Sequence, residues 1–228
     1  MGSMPISQGK YHKGTLDALD LKPEERTAAT QNAVQIVTAI ENAYTQHEAA
    51  SNTAQSGAKP VQSPTGLVYG RIQSGKTRAM IASAALAIDN RFKIIVVLTS
   101  NNNRLVDQTG EDFRAGLPGG VGVFSKAHFQ GDVQQAKQIL ESGVGGIIVI
   151  CSKGPKRLPQ AIEFLKNIGG KDCPSIIFDD EGDQATLDTN TQKRSKNNST
   201  LVASKIHRLI HDPAVQSLRQ ALAHHIFV

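Results

Sequence analysis

The sequence contains no tryptophan, and aromatic residues make up only 4% of its 228 positions. The core must therefore be built mainly from Ile, Val, Leu and Ala. The only two cysteines, Cys151 and Cys173, each lie beside an apolar run, which favours buried, reduced thiols over a disulfide framework or a zinc site. No apolar run approaches the roughly 18 residues that a membrane-spanning helix needs, and the N-terminus has no signal-peptide pattern. We therefore expect a cytoplasmic protein without membrane association.

Hydrophobic residues make up 39% of the chain, an ordinary value for a globular protein that buries one full core. The formal net charge of +5 is compatible with nucleic acid as a partner. Because the basic residues are spread along the chain rather than clustered, a mildly basic enzyme fits this charge almost equally well.

A glycine-rich loop follows the short apolar run Leu67–Tyr69 and precedes an alanine-rich helical segment. The loop, Gly70–Thr77, reads GRIQSGKT and matches the phosphate-binding pattern G-x-x-x-x-G-K-[ST]. Its glycines allow consecutive main-chain N–H groups to face an anion. We expect Lys76 to reach the phosphates of ATP and the Thr77 hydroxyl to bind Mg²⁺. The predicted nucleotide-binding residues are Gly70, Gln73, Ser74, Gly75, Lys76 and Thr77.

An acidic cluster follows the apolar run Ser175–Phe178 and matches the form D-E-x-D at Asp180-Glu181-Gly182-Asp183. A strand that delivers carboxylates at its C-terminal end places them at the edge where doubly wound sheets bind ligands. We expect Asp180 to bind Mg²⁺ together with Thr77, and Glu181 to orient or activate the attacking water. Asp183 is expected to couple the site to moving parts. The predicted catalytic residues are Lys76, Asp180 and Glu181.

Strand-like and helical segments alternate along most of the chain, which predicts an α/β fold with a mostly parallel sheet covered by helices on both sides. The predicted strands are Leu67–Tyr69, Lys93–Thr99, Val121–Phe124, Gly146–Cys151, Ser175–Phe178 and Ile226–Val228. The predicted helices between them are Thr77–Asp89, Asn103–Arg114, Asp132–Glu141 with Asp132 as its cap, Pro159–Asn167, Leu201–His211 and Pro213–Ala223.

The N-terminal residues 1–60 differ from the alternating remainder, residues 61–228. Residues 5–22 are polar without sustained periodicity, so we expect a flexible lead-in there. Helical periodicity begins at Pro23 and continues to about Ala50, which predicts a helical arm that packs on the following domain. A Ser-, Asn- and Gly-rich linker then precedes the predicted ATPase lobe.

Two loops that follow predicted strands carry candidate contacts to a nucleic-acid backbone. The loop after Lys93–Thr99 contains Asn103 and Arg104, although an Asn-rich helix cap explains it equally well. The loop after Gly146–Cys151 contains the densest basic cluster of the chain, Lys153, Lys156 and Arg157. Such groups position phosphates without reading sequence, and a solvated loop is the alternative.

Four runs resemble the Z-one domain family, which carries an endonuclease label and is built on a superfamily-two helicase-like core. These runs are GRIQSGKT, IIVVLTSNNNRLVDQT, IIFDDEGDQATLDTN and STLVASKIHRLI, and the likeness covers roughly residues 60–228. The resemblance implies a RecA-like P-loop ATPase lobe that performs ATP-driven work on DNA in bacterial restriction or phage defence. In that family a TATP-like motif and a second RecA-like lobe follow, so we expect this chain to be the first lobe only.

Two other classes of function stay open. A metal-dependent endonuclease could use Asp179, Asp180, Glu181 and Asp183 as ligands, although its phosphate loop would then have no role. A nucleotide-gated interaction module would bind ATP and change shape without moving along DNA. The first predicts Mg²⁺-dependent cleavage without ATP, and the second predicts ATPase activity coupled to a partner protein.

Overall fold

The computed structural model describes residues 5–53, 64–66, 75–126, 128–180, 205–212, 217–222 and 225–227. Several predictions fall outside these ranges, namely the strand Leu67–Tyr69, loop residues Gly70, Gln73 and Ser74, and the carboxylates of Glu181 and Asp183. No helix in the described ranges is long and apolar enough to cross a bilayer.

Helices and strands alternate in the described residues from α3 onward, as the sequence predicts. The helices are α1 (Lys10–Ala18), α2 (Pro23–Thr53), α3 (Lys76–Asp89), α4 (Asn103–Gly116), α5 (Val133–Glu141), α6 (Arg157–Asn167) and α7 (Lys205–His211). The strands are β1 (Ile94–Thr99), β2 (Val121–Phe124), β3 (Gly146–Ser152), β4 (Ser175–Asp179) and β5 (His225–Phe227).

The five described strands form one sheet in the order β2-β3-β1-β4-β5, and every pairing is parallel. In the central strand β1, Ile94 pairs with Ile147 of β3 on one side and with Ser175 of β4 on the other. Because the strands are parallel, the loops that follow them all emerge at one edge of the sheet, which we call the carboxyl edge. The predicted α/β class with a parallel, helix-covered sheet is confirmed.

Helices cover both faces of the sheet, and alternate residues of β1 pack against opposite layers. Ile95 and Val97 belong to a cluster with α1 to α4, whereas Ile94, Val96 and Leu98 pack with α5, α6 and α7. All five side chains are fully buried. Burial of such a side chain stabilises a fold by roughly 1.5–3 kcal/mol, which explains why a continuous apolar run forms this central strand.

Helix α1 replaces part of the predicted flexible lead-in, so that prediction was wrong for residues 10–18. The Asp89 carboxylate, at the end of α3, accepts hydrogen bonds from the main-chain N–H groups of Tyr11 (3.2 Å) and His12 (2.8 Å). These bonds satisfy two donors at the N-terminus of α1. The cap lies 77 and 78 residues away in sequence, so the local pattern carries no sign of it.

The predicted helical arm is confirmed as α2 and packs into the same core as α1 and α3. Its buried face includes Val37 and Ile40, which are among the residues that the helical periodicity singled out. Arg91, in the turn after α3, binds the nearly buried Glu41 at 3.0 Å and stacks over the Tyr44 ring at 4.4 Å. The arm is therefore attached to the sheet by both apolar and ionic contacts.

A more acidic solution is expected to loosen helix α1 because of His12. This side chain is fully buried, and its Nδ1 lies 3.3 Å from the carbonyl oxygen of Ala82. Burial lowers the pKa of His12 below 6.5, while the Ala82 carbonyl and the Asp89 carboxylate raise the pKa and Arg26 lowers it by smaller amounts. Because the folded state favours the neutral imidazole, its stabilising effect is complete above about pH 6.5 and decreases as the pH falls below that value.

Hydrogen-exchange protection of the α1 amides at pH 7 and pH 5 measures this effect. The His12→Gln variant does not titrate in this range, so we expect its protection factors to change less between the two pH values than those of the wild type. Equal changes in both proteins would contradict the role given to His12.

Asp132 is the N-cap residue of α5, as the sequence predicts. Its carbonyl accepts the N–H of Ala136 at 3.0 Å and so begins the helix. Its side chain makes no capping hydrogen bond to the described first turn. Its main-chain N–H donates to the carbonyl of His128 at 3.0 Å.

The predicted helix Pro213–Ala223 is wrong where it can be compared, in residues 217–222. A single 3-10 turn, Arg219–Ala221, is present there. The N–H of Leu218 bonds to the carbonyl of Leu209 in α7 at 2.7 Å, and its side chain is fully buried. This tertiary bond takes the donor that an α-helix would use locally.

Candidate functional site

The described part of the predicted phosphate loop, residues 75–77, lies at the N-terminus of α3. Helix α3 ends at Asp89, just before β1 begins at the amino edge of the sheet. At its other end, Gly75 and Thr77 line a cavity together with residues from the end of α1, the start of α2 and the last turns of α4.

Gly75, which precedes α3, has a backbone conformation that favours glycine. Its φ of 73° and ψ of 27° are left-handed, which is strained for residues other than glycine. Its carbonyl accepts the N–H of Ala79 at 3.0 Å and so begins the helix. Lys76 and Thr77 are exposed, and the first turn of α3, which is described throughout, contains no acidic residue. The positive end of the helix dipole and the Lys76 ammonium can therefore act on the same anion.

The acidic cluster begins at the end of β4, on the carboxyl edge of the sheet. Asp179 is the last residue of the strand, and its side chain is only 3% exposed. Asp180 follows it and is half-buried, and its main-chain N–H donates to the carbonyl of Leu98 in β1 at 2.9 Å. The backbone that carries Asp180 is therefore fixed to the central strand.

Lys153 is joined to this acidic turn rather than to the surface. Its side chain is 0% exposed, and its Nζ lies 2.9 Å from Asp179 Oδ1 and 2.7 Å from the carbonyl oxygen of Asp180. A nucleic-acid phosphate would have to displace Asp179 to reach this ammonium. We therefore withdraw Lys153 from the predicted nucleic-acid contacts. The sequence interpretation treated Lys153 as solvent-exposed, because the sequence does not show that Asp179 lies within reach of it.

The pairing with Lys153 divides the roles of the two adjacent aspartates. The Asp179 carboxylate is buried against an ammonium, whereas Asp180 is bound to Lys153 and Leu98 through its main chain. Asp180 is thus the better of the two for a divalent cation. Among the described residues there is no cluster of three or more metal-binding side chains, and the predicted partners Glu181 and Asp183 lie outside them.

The other nucleic-acid candidates lie at the start of α4 and α6, two helices that cover opposite faces of the sheet and begin at its carboxyl edge. Asn103 and Arg104 are exposed in the first turn of α4, where the Asn102 side chain caps the helix by accepting the Arg104 N–H at 2.9 Å. Lys156 is exposed just before α6, and Arg157 is half-buried at its first position. These helices follow β1 and β3, which are adjacent in the sheet. The fold therefore brings the two predicted segments to the same edge.

The cysteines take no part in this site. Both are free, as the sequence predicts for reduced thiols. Burial raises the pKa of Cys151 to about 12 and also raises the pKa of Cys173. Their thiolates are therefore scarce at neutral pH, which excludes them as nucleophiles.

No protein-family model matches the chain, and no curated protein matches it significantly.

Proposed function

We propose that this chain binds ATP with Mg²⁺ and hydrolyses it as the first RecA-like lobe of a helicase- or translocase-type motor. The observation that carries the proposal is the start of α3, where the left-handed Gly75 precedes exposed Lys76 and Thr77. Asp180, directly after β4, is the second proposed ligand of the cation. The sequence resemblance to the Z-one domain family supports the same reading.

The residue types at the start of α3 and after β4 fit a nucleotide with a divalent cation. Lys76 and the α3 N-terminus offer positive charge to the phosphates, while Thr77 and Asp180 offer oxygen ligands of the kind that Mg²⁺ prefers. When bound, Mg²⁺ neutralises phosphate charge. Glu181 orients the attacking water in this scheme. Hydrolysis by this chain is expected to be slow unless a partner lobe supplies an arginine to the γ-phosphate.

DNA is the proposed partner of the α4 and α6 N-termini. Arg104 and Lys156 are exposed there, and Asn103 adds an amide that can bind a phosphate. Contacts of this kind hold the backbone without reading bases. We expect the affinity for DNA to fall with salt and to show little dependence on sequence.

The endonuclease alternative is less well supported by the contacts at the acidic turn. One of the four carboxylates that it would use, Asp179, is already bound to the buried Lys153 ammonium at 2.9 Å. A metal ligand at that position would leave Lys153 buried without its ionic partner, which is costly. The geometry at Gly75 would also have no role in a nuclease.

The Glu181→Gln variant tests the catalytic part of the proposal. We expect it to lower phosphate release from ATP by about 100-fold or more, as the loss of a general base does, while ATP·Mg²⁺ affinity changes less than about threefold. Phosphate release and equilibrium binding are measured on the same preparations, with and without DNA. Undiminished turnover in the variant would exclude Glu181. Mg²⁺-dependent cleavage of DNA without ATP would favour the nuclease instead.

A further inference from the structure

Lys153 connects two strands that are not neighbours. It follows β3, yet its ammonium contacts Asp179 and the carbonyl of Asp180 at the end of β4, and β1 lies between these strands. The side chain therefore passes over the end of the central strand. It is fully buried along this path.

The contact controls the main chain that enters the acidic motif. The N–H of Asp180 is held by Leu98 at 2.9 Å, and its carbonyl accepts from Lys153 at 2.7 Å. That carbonyl belongs to the peptide bond that joins Asp180 to Glu181. Both main-chain groups of Asp180 that can form hydrogen bonds are thus held by β1 and by Lys153.

The main chain at Lys153 and Gly154 is hydrogen-bonded to the segments that carry the candidate DNA-binding residues. Its N–H donates to the carbonyl of Thr99 in β1 at 2.9 Å. The next residue, Gly154, accepts the N–H groups of Arg157 and Leu158 at 3.1 and 3.0 Å, in the first turn of α6.

Gly154 also lies against the loop that leads to α4. A Cβ atom on Gly154 would come within 2.6 Å of the Asn101 side-chain oxygen. The residue next to Lys153 therefore lies close to the segments that begin both α4 and α6.

We propose that Lys153 is a positioning residue that couples DNA binding at the α4 and α6 N-termini to the acidic turn of the ATP site. This inference rests on the proposed function. A buried ion pair is a poor means of stabilising a sheet edge compared with apolar packing, so its presence between two ligand-binding loops points to a coupling role. DNA bound at Lys156 and Arg157 displaces the first turn of α6, and Lys153 carries that change to Asp180.

The experiment measures the coupling factor between the two ligands. The dissociation constant for a fluorescein-labelled DNA oligonucleotide is determined with and without saturating ATPγS·Mg²⁺ at fixed salt. For the wild type we expect ATPγS·Mg²⁺ to change the dissociation constant for DNA at least fivefold. Because binding free energies are linked, DNA should change the ATPγS affinity by the same factor. In the double variant Lys153→Met/Asp179→Leu, which keeps the site apolar and filled, we expect a factor below twofold, with each separate affinity within threefold of the wild type.

Controls separate this role from a general effect on folding. Arg208 of α7 forms an ion pair with Asp212 at 3.0 Å. The Arg208→Ala variant removes this pair and is expected to keep the coupling factor of the wild type. If the double variant does not fold by circular dichroism, Asp179→Asn replaces it and is expected to lower the factor at least twofold. A full coupling factor in the folded variant would overturn the inference while leaving the proposed function intact. A wild-type chain that binds neither ligand would overturn both.

Discussion

Replacing Lys76 with alanine is expected to weaken ATP·Mg²⁺ binding by about 10- to 150-fold. The side chain is exposed at the first position of α3. A charge-assisted hydrogen bond to a phosphate contributes roughly 1.5–3 kcal/mol, which corresponds to this change in affinity. Because Lys76 contacts little else among the described residues, the free energy of unfolding should stay within about 0.5 kcal/mol of the wild type.

Lys171→Ala provides a matched control for the charge that is lost. Lys171 is also exposed, but it lies before β4 at the amino edge of the sheet. Its removal changes the net charge by the same amount and is expected to leave the ATP affinity within about twofold. Isothermal titration calorimetry of both variants measures the difference. Equal ATP affinities of the Lys76→Ala and Lys171→Ala variants would exclude a phosphate-binding role for Lys76.

Replacing Lys153 with methionine is expected to destabilise the fold by about 3–5 kcal/mol. The substitution leaves the buried Asp179 carboxylate without the ammonium that now lies 2.9 Å from it. The cost of breaking a buried pair comes mainly from the charge that is left behind. Chemical denaturation measures the loss as a shift of the midpoint with an unchanged slope.

The double variant Lys153→Met/Asp179→Leu separates the ion pair from its unpaired charge. With both charges removed, the stability should return to within about 1 kcal/mol of the wild type or exceed it. Arg208→Ala, which removes a half-exposed pair on α7, should cost less than about 1 kcal/mol. A double variant as unstable as Lys153→Met would show that the destabilisation does not come from the uncompensated Asp179 charge.

The strands could be predicted from the sequence because their signal is local. The runs that became β1 and β3 are continuous and rich in Ile and Val, and their bounds were predicted to within one residue at each end. Burial on both faces makes every position of such a strand apolar, so no knowledge of the partner strands is needed. The phosphate-loop pattern also places a glycine at position 75, where the structure has a positive φ.

Features that depend on distant residues could not be predicted. Helix α1 is polar and short, and its N-terminal donors are satisfied by Asp89 from the end of α3. The burial of Lys153 depends on strand order, because Asp179 comes within reach of it only once β4 is known to lie beside β1. In both cases the decisive partner is set by topology rather than by periodicity.

The central claim is that ATP·Mg²⁺ binds between the start of α3 and the end of β4. Hydrogen exchange of the chain with and without ATP·Mg²⁺ tests it most directly. We expect increased protection of amides in residues 75–80 and 177–180, and no change in α5, which packs beneath the other face of the sheet. Absence of protection at both segments, or protection confined to other elements, would contradict the account.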